Sequence, residues 1–64
     1  MNIHDWTRVH QALEAEARVW DRSATLERTH GNETAAQQCD LAAYAIRQSI
    51  AKVAEAAAAP ERAA

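Results

Sequence analysis

Three histidines, one cysteine, two tryptophans and a set of arginines are the side chains of this chain most able to do chemistry. His4 and His10 stand six apart, whereas a helical metal site takes ligands four apart on one side, so the two rings point in different directions. His30 lies beside the only glycine, and no His-Glu-x-x-His pattern occurs. No metal site is expected. Cys39 has no second cysteine to pair with. It falls on an apolar stripe among alanines, where a free thiol behaves as a small hydrophobe. Catalysis needs a nucleophile, a base and oxyanion donors converging in a cleft, which two helices with one glycine do not enclose. Neither an enzyme nor a cofactor is expected.

The arginines point to a different chemistry. Arg8, Arg18 and Arg22 fall on one outer side of the first half of the chain and form a candidate face for nucleic-acid phosphates. Against this, Glu14 lies four residues before Arg18 and Asp21 three after it, the spacing of ordinary helix-surface pairs. Nine acidic against seven basic side chains give a formal net charge of −2. The two signs are interspersed, with no basic block to track a polyanion.

Composition fixes the elements that must position these groups. One Gly, one Pro and no Phe in 64 residues, with many Ala, Glu, Gln and Arg, describe helices with little loop, so the fold class is all-α. Gly31 is the natural residue to turn left-handed after a helix C-terminus. Asn32, or Thr34 with Gln37 as a capping box, restarts the chain, and Glu33 suits the positive end of the new helix dipole. Asn2 can cap the first helix, with Asp5 at its third position. Pro60 stops the second. The expected organisation is a single domain: helix 1 over about 3–29, a turn near 30–33, helix 2 over about 34–59 and a frayed tail at 60–64. Helices of equal length on a short turn make an antiparallel hairpin.

At about 100° per residue, Ile3, Trp6, Val9, Leu13, Ala17, Trp20 and Ala24 share one face of helix 1. Ala35, Cys39, Ala42, Ile46, Ser49 or Ile50, Val53 and Ala57 share one face of helix 2. A turn centred near Gly31 sets Trp20 near Ala42 and Leu13 near Ser49 and Ile50, so large side chains are expected to meet small ones across the seam. Both tryptophans are expected in that seam. Val19 and Leu26 on helix 1, and Leu41 and Tyr44 on helix 2, are left without a partner inside one hairpin. A second surface is expected to cover them, in the form of a homodimer closing a four-helix bundle or of another protein.

No apolar run is long enough to span a membrane, and no signal peptide is read, so a cytoplasmic protein is expected. The functional expectation is a non-catalytic interaction module that binds a larger protein and inhibits or adapts it. A small dimeric RNA- or DNA-binding regulator and a structural subunit of a larger assembly are the alternatives.

Overall fold

The computed structural model describes residues 2–58. They form two helices, α1 (Ile3–Thr29) and α2 (Glu33–Ala58), packed against each other as a hairpin. The stop expected at Pro60 and the tail at 60–64 lie outside the described residues. α1 starts as its first residues require. Asn2 is extended, and its side-chain oxygen accepts the Asp5 backbone N–H at 2.9 Å, which satisfies one of the four amides a helix start leaves unpaired.

The turn is a Schellman motif built on Gly31. His30 caps α1, the Gly31 N–H donates to the Arg28 carbonyl at 3.0 Å, and the Asn32 N–H donates to the Glu27 carbonyl at 2.8 Å. Gly31 sits at φ +81°, where a side chain is strained whatever the space around it. α2 begins one residue before Thr34, so Thr34 lies inside the helix. Asn32 holds the cap position: its carbonyl accepts the Ala36 N–H at 3.0 Å, while its side-chain amide donates to Glu27 Oε1 at 2.8 Å. Glu27 and Asn32 thus clasp the turn from both ends. Nothing lies within 4 Å of a Cβ added at Gly31, so the cost of Gly31→Ala is purely one of backbone conformation. We expect a loss of about 1–2 kcal/mol, read as a Tm lower by about 4–8 °C per kcal/mol in a domain of this size. Gly31→Asn should lose less, because asparagine tolerates the left-handed region. Equal Tm values for Gly31→Ala and wild type would contradict this account of the turn.

The seam is made of alanine. Ala17, Ala24, Ala36 and Ala43 are buried, with Cys39 and Ile50 beside them, and Ala24, Ala36 and Cys39 form one contact cluster. This differs from the expected packing of large against small. Among the described residues no large side chain is fully buried; Trp20 remains 36% exposed, Val9 39% and Val53 37%. The physical reason is the close approach that alanine permits. With methyl groups facing methyl groups the two backbones come near enough that a tryptophan has no room between them and is turned out to the side. On α2 the buried stripe is also rotated by one residue, through Ala36 and Ala43 in place of Ala35 and Ala42, which are half-buried.

The resulting shape is a slab. Its Cα extents are 53 × 21 × 9 Å, and its radius of gyration is 15.3 Å, against about 11 Å for a compact domain of this length. The accessible surface is 4911 Å², where a compact protein of this mass exposes about 4,000 Å².

Candidate functional site

A slab one helix thick has two broad faces and two outer edges, and the sequence gives each a distinct chemistry. The seam fixes the inward direction of each helix. From it, about 100° per residue assigns every other position to a face or an edge.

One broad face is ionic. Arg47, on α2, reaches across the seam to two carboxylates of α1 that stand one heptad apart. Its guanidinium lies 3.1 Å from Glu14 Oε2 and 2.8 Å from Asp21 Oδ2, and its Nε and Nη1 donate to the same two groups at 3.3 Å. Nearer the turn, Arg28 of α1 donates to Glu33 at 2.9 Å and to Asp40 at 2.7 Å. These charge-assisted hydrogen bonds hold the Asp21 carboxyl, through Arg47, and the Glu33 carboxyl, through Arg28, below the usual carboxylate range. Both guanidiniums are held still further above their ordinary range, Arg47 by Asp21 and then Glu14, Arg28 by Glu33 and then Asp40. All of these groups remain solvent-exposed to a substantial degree, so they act chiefly on register and orientation.

This network replaces the pairing within α1 expected from spacing alone. Glu14 and Asp21 serve Arg47 across the hairpin, not Arg18 on their own helix. Arg47 had a readable signal: two carboxylates seven apart on one helix face, and a lone arginine at the matching height of the other helix. Arg8, Arg18 and Arg22 are exposed. Arg18 borders a shallow depression with Trp6, His10 and Glu14, in which the Trp6 and His10 rings stack at 5.5 Å between centroids.

The opposite broad face is apolar. Val9, Leu13 and Trp20 lie on its α1 side, and Ala35, Ala42, Ile46, Ser49 and Val53 on its α2 side, with Cys39 at the seam between them. Leu13 and Ile46 are half-buried, and Val9, Trp20 and Val53 are exposed by more than a third. Glu16 and Glu27 stand at its α1 margin, and the Glu27 carboxylate accepts from Asn32. Of the other residues expected in the seam, Trp6 is half-buried and Ile50 is buried.

The four residues expected to make a further contact are well exposed, Leu26 at 60%, Leu41 at 66% and Tyr44 at 62%, with Val19 at 44%. They do not form one surface. Val19 and Leu26 lie on the outer edge of α1, where they border a shallow groove with Arg22 and Ser23. Leu41 lies on the outer edge of α2, and Tyr44 lies between that edge and the ionic face, beside Gln37 and Asp40. The width of the slab separates the two pairs.

Among the described residues no group of three or more His, Cys, Asp or Glu is placed to hold a metal ion. No helix of the described residues is long and apolar enough to cross a membrane. Comparison with known proteins returns no family model, no curated protein and no solved structure that matches this chain.

Proposed function

We propose that this chain is a non-catalytic protein–protein interaction module, a helical hairpin that self-associates and binds and modulates a larger protein. The observation that carries the reading is the inversion of its hydrophobic content. Alanine and cysteine occupy most of the seam, while Val9, Trp20, Leu26, Leu41, Tyr44 and Val53 are left in contact with water. Fully burying one Val or Leu side chain contributes about 1.5–3 kcal/mol, so covering even two or three of these would match much of the stability available to a domain this small. Exposed apolar side chains grouped on surfaces mark association sites. The ion pairs of the opposite face support the same reading, since Arg28 and Arg47 are matched there by four carboxylates and add no surplus of basic charge for a nucleic-acid backbone. The single free thiol, Cys39, suits a reducing compartment such as the cytoplasm.

The test is the solution mass of the purified chain by light scattering over a range of concentrations, with helicity followed by circular dichroism. A helical dimer is the expected result. A fully helical monomer at all concentrations would defeat self-association. A poorly helical monomer would move the missing half of the core to another protein and favour a structural subunit.

A further inference from the structure

We propose that a second copy of this chain docks on the apolar broad face of the hairpin, with Trp20 as its anchor, and that both outer edges stay outside this contact. The inference rests on the self-association put forward above and assigns it a surface.

Three observations select this face and this occupant. The first is charge. The other broad face carries Arg28, Arg47, Glu14, Asp21, Glu33 and Asp40, and covering it would desolvate two guanidiniums and four carboxylates. The apolar face asks for no such desolvation at its centre. The second is area. The chain exposes 4911 Å², roughly 900 Å² more than a compact protein of its mass, and one partner in a stable interface of ordinary size covers about 800 Å². The third is shape. On this face Trp20 and Leu13 of α1 stand at the heights of the small Ala42 and Ser49 of α2, while Ile46 and Val53 add apolar surface to the α2 row. A twofold axis running along the helices lays α1 of each copy over α2 of the other, so Trp20 of one meets Ala42 of its mate and Leu13 meets Ser49. The surface is then complementary to itself, as a twofold interface must be. The outer edges lack this property. Each belongs to one helix, and the width of the slab separates them.

The proposal predicts different effects for charges placed on the face and on the edges. Trp20→Glu should weaken dimerisation about 30-fold or more, the loss typical of a central aromatic anchor. Leu26→Glu and Leu41→Glu should leave the dimer mass unchanged. If Leu26→Glu or Leu41→Glu abolishes the dimer while Trp20→Glu keeps it, the face is assigned wrongly although self-association stands. A monomeric wild type would instead remove the reading beneath. Should Trp20→Glu fail to fold, Trp6→Phe leaves Trp20 as the sole tryptophan. Its emission should move to shorter wavelength, and acrylamide quenching should fall, as concentration carries the protein from monomer to dimer. Emission and quenching unchanged across that transition would overturn the proposal.

Discussion

Ala36→Leu is expected to remove most of the stability of the hairpin at 25 °C. Ala36 is fully buried and packs in one cluster with Ala24 and Cys39. Its methyl group sits where the two backbones are held together, so three added carbon atoms have no cavity to enter. Overpacking a well-packed site costs about 1–3 kcal/mol when neighbours can shift. Here the neighbours are two other small side chains and the helix backbones themselves, which can yield only by moving apart along their whole length. Because a domain of this size has only about 3–5 kcal/mol to lose, the upper part of that range removes most of its stability. Circular dichroism at 25 °C and a urea titration read the outcome. A variant as stable as wild type would mean that the seam has slack that close alanine packing excludes. The same substitution at Ala35, one residue along and half-buried, should be far milder, so the pair separates the effect of position from that of composition.

Ile50→Ala is expected to have the largest effect among truncations, about 2–5 kcal/mol. Ile50 is the largest of the buried side chains and lies in the half of α2 remote from the turn. Near the turn the Schellman bonds, the Glu27–Asn32 clasp and the Arg28 pairs hold the helices together. Among the described residues no ion pair lies beyond Arg47, and Ile50 is the buried apolar side chain of α2 in that half. Removing the Ile50 side chain should therefore open the hairpin from its free end first. Amide exchange would show this as faster exchange in the last turns of α2, with the turn region protected longer. Uniform loss of protection along both helices would point instead to a single cooperative unit.

The turn was legible from single residues, because chemistry leaves few alternatives there. Only glycine reaches a left-handed φ without strain, and Gly31 is the only glycine in the chain. Asn2 and Asp5 announced the start of α1 for a similar reason, a short side chain that prefers to bond a free amide. The buried stripe of α2 was harder to place. The pairs Ala35-Ala36 and Ala42-Ala43 offer two adjacent stripes of equal hydrophobicity, and periodicity cannot choose between identical side chains. Trp20 misled in another way. Hydrophobic scales rank it well above alanine, but the order of burial in a two-helix slab follows size, and the smallest side chains win the space between backbones. The ionic face was hidden because spacing along one helix suggested that Glu14 and Asp21 serve Arg18, whereas their partner lies 33 and 26 residues away. The same oversight hid the apolar face, since only the ion pairs tell one side of the slab from the other.

The four buried alanines also carry a consequence for how the two helices find each other. Ala17 and Ala24 are one heptad apart, and so are Ala36 and Ala43. A seam of identical teeth at identical spacing works like a rack: sliding one helix by a heptad, about 10 Å, seats methyl on methyl again. Alanine contacts alone thus tie several alignments. Two features break the tie. The tight turn allows no spare length, and Arg47 rests between Glu14 and Asp21 as a pawl rests between two teeth, losing one carboxylate if the helix slides toward either end. The polar side of the slab is therefore where alignment is chosen, although the apolar atoms supply the adhesion.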